Sequence, residues 1–251
     1  MFTQILKYFP PVILTAFFCM PAQAATEDDL NLIAAAQRGD PRIFNMMLDM
    51  GANIHAVDQG GNNAVLMAVY GGNHVILRQA ISKGVNVNVT GKIGFTPLSL
   101  AALRGDEMAV RLLLKAGADP DGRDYNKNTP LINAILLGRG AIVKMLLDAG
   151  ADADLTDAKK QSPLMIAAQL GQLQSVEALL KRHADVRLRD RQDSSALYWA
   201  IYEGHDDIAK LLIQNGADLL QPTNGYTPLH WAKAVEREAV VNMLVAAGVK
   251  E

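Results

Sequence analysis

One cysteine, Cys19, stands among the 251 residues, which rules out an internal disulfide framework and any cysteine-based zinc site. Neither sign of charge is in excess: 24 Lys plus Arg face 26 Asp plus Glu, for a formal net charge of -2. Non-specific attraction to nucleic acid, which needs a net basic domain or a basic stripe, is thereby excluded. The apolar run from Tyr8 to Met20 has only 13 residues and contains Pro10 and Pro11. It is too short to cross roughly 30 Å of hydrocarbon. The sequence also lacks a glycine-rich phosphate loop ending in Lys-Ser or Lys-Thr, a His-Glu-x-x-His pair and a Gly-x-Ser-x-Gly elbow, so catalysis is not expected. What is abundant is apolar material, 50% of all residues, enough to build a core and too much for a disordered chain.

The first residues read as a targeting segment. Met1 to Lys7 carry one positive charge, the apolar run follows, and Ala22-Gln23-Ala24 places small residues where a signal peptidase reads them. Residues 1–24 are expected to be a cleavable signal peptide, leaving a cysteine-free chain of residues 25–251 that needs no oxidation to fold. Such a chain is expected to be periplasmic or secreted. Asn88-Val89-Thr90 is a glycosylation sequon, which matters only in a eukaryotic secretory route.

The remainder repeats. At an offset of 33 residues, Gly51, Gly84, Gly117, Gly150 and Gly216 share a column in which His183 takes the missing slot. Gly39, Gly72, Gly105, Gly138, Gly171 and Gly204 form a second column. A third holds Thr96-Pro97-Leu98, Thr129-Pro130-Leu131, Ser162-Pro163-Leu164 and Ser195-Ala196-Leu197, with Thr227-Pro228-Leu229 one residue early. A period of this size implies a solenoid in which each unit completes its core only by stacking on the next.

Each unit can be read from its chemistry. Thr129 is suited to cap a helix through its hydroxyl, and Pro130 fits the first helical position, where a missing N–H costs nothing. Ala101, Ala102, Ala134, Ala167 and Ala168 allow helices of neighbouring units to approach closely. Gly105 turns the chain into a second helix bearing Leu112, Leu113 and Leu114, and Gly117 ends that helix in a left-handed conformation. His183, standing in the same column, is expected at positive φ. The first copy starts with a capping-box-like Thr26-x-x-Asp29. The last replaces the joining glycine by Glu236 and carries Lys233, Arg237 and Glu238; both copies read as caps. Asn63-Ala64-Val65 departs from Thr-Pro-Leu, which predicts a weaker second unit.

Candidate ligands are scattered. His55, His74, His183, His205 and His230 fall on different columns, so no cofactor or metal site is expected. Asp206 and Asp207, beside His205, suit a helix start, where carboxylates are favoured. Asp58, Asp124, Asp157 and Asp190 recur in one column at the loop tips, where an Asp braces a turn.

Thr227-Pro228-Leu229-His230, together with Leu113-Leu114-Lys115-Ala116-Gly117-Ala118-Asp119 and Leu146-Leu147-Asp148-Ala149-Gly150-Ala151-Asp152, resembles the ankyrin repeat over about residues 27–250. The resemblance implies an all-α repeat solenoid of stacked helix-turn-helix units with projecting β-hairpin-like loops. About seven units would span 28–58 (the N-terminal cap), 59–91, 92–124, 125–157, 158–190, 191–222 and 223–251 (the C-terminal cap), in a single domain 25–251. It further implies a protein partner held on a concave face built from the loop tips and the two residues before each joining glycine. Those pairs are Tyr70-Gly71, Leu103-Arg104, Leu136-Leu137, Gln169-Leu170 and Tyr202-Glu203. Solvated positions are ordinarily polar, yet Tyr70, Leu103, Leu136, Leu137, Leu170 and Tyr202 are large and apolar; they form either a docking strip or packing beneath the loops. The strip also leaves room for weak self-association. Trp199 and Trp231 stand where the family has a packed leucine and are expected to be framework. His230 is expected to bond neighbouring backbone or hydroxyl groups. At the tips, Ile93, Phe95, Tyr125 and Tyr226 add interface-type side chains. Lys159, Lys160, Arg187, Arg189 and Arg191 form a basic edge able to steer an acidic partner. Similar exported bacterial ankyrin proteins are associated with oxidative-stress enzymes, which makes a periplasmic client of that kind one expectation and a secreted effector or immunity-type role the alternative.

Overall fold

The computed structural model describes residues 25–92 and 94–250. The signal-peptide expectation for residues 1–24, and the tip residue Ile93, lie outside the described residues. Among those described, fourteen helices run as seven antiparallel pairs. The pairs are α1 (Glu27–Arg38) with α2 (Pro41–Asp49), α3 (Ala64–Tyr70) with α4 (His74–Ser82), α5 (Pro97–Arg104) with α6 (Glu107–Lys115), and α7 (Pro130–Leu136) with α8 (Gly140–Asp148). They continue with α9 (Pro163–Gln169) and α10 (Leu173–Lys181), α11 (Ala196–Tyr202) and α12 (Asp206–Gln214), α13 (Pro228–Ala234) and α14 (Glu238–Ala246).

The odd-numbered helices stack on one another in one layer and the even-numbered helices in a second. The inner layer is close-packed because its facing residues are small: Ala35, Ala101, Ala102, Ala134, Ala167, Ala168, Ala200 and Ala232 are wholly buried. Larger side chains fill the space between layers. Leu113, Leu131, Leu146, Leu179 and Leu212 are inaccessible to solvent, and truncating any of them to alanine removes about 2–5 kcal/mol.

The punctuation predicted from the repeat columns is present. Thr129 Oγ1 accepts from Ile132 N at 3.3 Å, and Pro130 follows at the first helical position. Gly105 closes α5 at φ 73°, and Gly117 follows α6 at φ 82°. His183 holds that second conformation with a Cβ, at φ 62°, and Glu236 holds the joining turn at φ 56°. The second unit is better capped than its sequence suggests. Asn63 Oδ1 accepts from Leu66 N at 3.0 Å, while Asn63 Nδ2 donates to Asn86 O at 2.8 Å, a second bond that reaches the following loop. The expected weakness of that unit therefore reduces to its missing proline.

A further column binds successive pairs together. Side chains at the start of the second helices reach back to the carbonyls that end the previous unit's first helix. Asn73 Nδ2 donates to Gly39 O at 2.9 Å, Gln172 Nε2 to Ile135 O at 2.6 Å and Arg237 Nη2 to Gly204 O at 2.9 Å. His205 Nε2 lies 3.2 Å from Gln169 O. These bonds satisfy helix-terminal carbonyls that have no partner inside their own helix.

Candidate binding face

The loop tips overhang the inner helices on one side of the stack. Each tip is a tight turn braced by the aspartate ladder. Asp124 Oδ1 accepts from Asn126 N at 2.8 Å and Asn128 N at 2.9 Å; Asp157 repeats this with Lys159 N and Gln161 N, and Asp190 with Gln192 N and Ser194 N. The second carboxylate oxygen of Asp190 receives Trp199 Nε1 at 3.2 Å. These aspartates are therefore consumed by their own turns. Asp124 N and Asn128 O close the turn at 2.9 Å, which gives the loops a hairpin-like start, but the described residues contain no strand, only an isolated bridge between Thr223 and Tyr226.

Neighbouring tips are joined in two ways. Backbone bonds link Lys92 N to Gly60 O at 2.5 Å, Tyr125 N to Gly94 O at 2.8 Å and Arg191 N to Lys159 O at 3.1 Å. Between the Asp124 and Asp157 tips the connection is instead a side chain: Arg123 Nη1 donates to Lys127 O at 2.6 Å and to Thr156 O at 2.7 Å. Arg189 does the same two units on, donating to Asp193 O and to Pro222 O, and pairs with the Asp193 carboxylate at 3.4 Å. Arg189 is therefore not a free steering charge as the basic-edge reading expects; it is a fastener between loops.

The apolar strip is placed on this face. Tyr70, Leu136, Leu137, Leu170 and Tyr202 are each between 44% and 48% exposed, Arg104 is exposed and Leu103 is half-buried. The strip is thus neither buried under the loops nor fully in water. Leu136 and Leu170 open into a cavity of about 500 Å3 under the Asp124 and Asp157 tips. Phe95 is half-buried and meets Tyr125 edge-on, with ring centres 5.5 Å apart, while Tyr125 itself is exposed. Close passage of the Tyr125 ring requires glycine at Gly94, where a Cβ would stand 2.5 Å from Tyr125 Cβ. Lys159, Lys160 and Arg191 are exposed.

At the C-terminal end, side chains from α11, α13 and the loop between α12 and α13 form an aromatic cluster. Tyr198 stacks on Tyr202 at 5.6 Å and meets Trp199 and Trp231 edge-on. Trp199 and Trp231 are half-buried against the core, and Trp231 Nε1 donates to Thr223 O at 3.1 Å. Burial, and next the neighbouring Tyr202 hydroxyl and the Asp190 and Glu203 carboxylates, hold the Tyr198 hydroxyl above the usual phenol range. His230 differs from expectation: its exposed ring stacks on Tyr226 at 4.3 Å, and the helix start is capped by Thr227 Oγ1, which accepts from His230 N at 3.3 Å. Sequence reading missed Tyr198, although it lies one helical turn before Tyr202. It also missed Lys127, which lies 33 residues before Lys160.

The described residues contain no group of three His, Cys, Asp or Glu able to hold a metal ion, and no helix among them is long and apolar enough to cross a membrane. The Asn88 side chain of the sequon is engaged, its Oδ1 accepting from Asp119 N at 2.9 Å.

A stack of antiparallel helix pairs with loops projecting over the inner layer defines a helical repeat scaffold. A model of ankyrin repeats (3 copies) matches residues 32–124, 93–157, 117–190 and 164–250. The chain belongs to the ankyrin-repeat family, whose members are typically non-catalytic modules for protein–protein interaction. No curated protein matches it.

Proposed function

We propose that this protein is an exported binding module that holds another protein on the face formed by its inner helices and loop tips. The observation that carries this reading is the row Leu136, Leu137, Leu170 and Tyr202 on the consecutive inner helices α7, α9 and α11, with Tyr70 further along on α3, large apolar side chains left about half in water. A continuous apolar row on a soluble array calls for a partner. The composition of residues 1–24 supports export, with a periplasmic client as the partner to seek.

The test is capture from a native periplasmic extract, beside a Leu136→Glu, Leu137→Glu variant that retains its circular dichroism. A protein held by the parent and lost by the variant supports the row as the contact surface; a protein held equally by both sinks it. Export is tested separately by sequencing the amino terminus of the protein from cell fractions. It should begin at Ala25 in the periplasmic fraction, and a cytosolic chain beginning at Met1 ends that half of the reading.

A further inference from the structure

The cavity under the Asp124 and Asp157 tips has more structure than a gap between loops. Its floor is apolar, made by Leu136, Ile166 and Leu170, and its walls carry Tyr125, Lys127 and Lys159. About 500 Å3 falls within the roughly 300–1,000 Å3 of sites that accept small groups. Asn126, Asn128, Gln161 and Gln169 complete the lining, and an apolar floor edged by polar groups suits an apolar side chain arriving on a polar chain.

Two cations, Lys127 and Lys159, line the cavity, with Lys160 next in sequence and Arg191 on the following tip; all four are exposed, and none has an ion pair among the described residues. One acid, Asp157, also lines the cavity, with its Oδ1 accepting the amides of its own turn, and Asp193 on the following tip faces Arg189. The chain as a whole is slightly acidic, at -2, so this clustering of cations is local.

Backbone conformation supplies an independent sign. The tip position that is left-handed in each of the six units after the first is glycine at Gly61, Gly94 and Gly225, but Lys127 (φ 64°) and Lys160 (φ 61°) at the two tips flanking the cavity. A residue with a Cβ pays to enter this region, and such outliers persist where the side chain is needed. Asp193, the other exception (φ 61°), has its carboxylate and carbonyl both bonded to Arg189. Lys127 O is held in the same way by Arg123 Nη1, at 2.6 Å, but neither lysine has its ammonium paired with an acid among the described residues.

We infer that this cavity is an anchor pocket that takes one large apolar side chain from a partner segment whose flanking residues are acidic. The inference rests on the binding-face reading above and narrows it to the chemistry of the partner.

The probe is a phage-displayed random-peptide library selected on the immobilised full-length protein. Enriched peptides should carry a Phe, Leu or Trp flanked by Asp or Glu. They should bind a Lys127→Gly, Lys160→Gly variant roughly tenfold more weakly at low salt, with the difference shrinking as ionic strength rises. Glycine suits both turns, so the variant's melting midpoint should hold or rise, which separates lost binding from lost folding. A Leu170→Asp variant that keeps its circular dichroism should lose the peptides altogether. Enrichment without an acidic bias, peptides indifferent to the two lysines, or no enrichment above the bare support each overturns the pocket. Peptides that ignore the lysines but are lost on Leu103→Glu, Tyr202→Glu leave the binding face standing without the pocket; peptides indifferent to all these changes remove both.

Discussion

The two ends of the stack are closed by different physics. At the first unit the closure is buried and directional: Asp29, 6% exposed, accepts Thr26 N at 2.8 Å through one carboxylate oxygen and Asn53 N at 2.6 Å through the other. Thr26 Oγ1 returns a bond from Asp29 N at 3.2 Å, completing a capping box. At the last unit the closure is half in water. Arg237 reaches Asp206 Oδ1 at 2.9 Å, α14 buries only Val240 and Leu244, and Val245 is 54% exposed. Both ends read as polar caps in the sequence, but one depends on a desolvated carboxylate and the other on an ion pair half in water. The first should answer to pH and the second to salt.

The largest expected effect is at the first end. Asp29→Ala removes the acceptor of two amide bonds and should cost about 2 kcal/mol, read as a lower melting midpoint and faster amide exchange through α1 and α2. Burial pushes the Asp29 carboxyl up, but the bonds from the Asn53 amide, the Thr26 amide and the Thr26 hydroxyl outweigh it and leave it below the ordinary carboxylate range. Its contribution is therefore present above the unfolded value and lost as pH falls through the lowered folded one. The Asn53 amide resonance should titrate below a free carboxylate; a midpoint above it would contradict this account.

A smaller change is expected from Arg237→Ala, which should speed amide exchange in α14 alone. The difference from the parent should fade in high salt; a salt-independent effect would mean that the two ends are alike after all. Next come two gains. Glu236→Gly and His183→Gly each relieve a left-handed residue and should stabilise by roughly 0.5–1 kcal/mol, with the first acting on the C-terminal unit and the second on the middle. An unchanged or lower midpoint for either removes strain from the description.

The smallest effect separates both ends from the middle. Burial first, then repulsion from Asp152 and Asp119, holds Asp121 above the ordinary carboxylate range despite the Asp152 amide and Arg123; Asp154 is raised by burial and by Asp152 and Asp185. A raised carboxylate favours folding below its unfolded value and gives that up as pH rises through the folded one, opposite in sign to Asp29. Asparagine keeps the acceptor without the charge, as Asn88 does one unit earlier when it accepts from Asp119 N. Asp121→Asn with Asp154→Asn should raise the midpoint at neutral pH by less than about 0.5 kcal/mol, and a fall would reverse the argument.

What the sequence makes legible is what one residue type decides alone. Glycine columns, Thr-Pro starts and the aspartate ladder report backbone conformations and short-range bonds, so the helix pairs and turns appear where the columns stand. His183 could be placed at positive φ for the same reason. Relations between units are harder. Arg189 looked like a free charge because its partner carbonyl, Pro222, lies 33 residues away, and nothing in the local pattern shows which way a long side chain turns. His230 matched a motif but stacks on Tyr226, a contact between side chains that the motif does not encode. The apolar strip was visible as a list of residues, but its half-exposure and the cavity beside Leu136 and Leu170 depend on how far the tips overhang the inner helices.

The alternation of links between tips has a mechanical consequence. Where adjacent loops share a backbone bond, the main chains of the two tips are tied directly and have no slack. Where Arg123 spans the joint, a guanidinium can let go of Thr156 O and leave both turns closed. The same holds for Arg189 at Pro222. A stack built this way has stiff joints and compliant ones, and it will bend first at the compliant ones, one of which lies over the cavity. Its aperture is then set by a latch rather than by the framework, able to widen for a bulkier guest without disturbing the helices that carry the array.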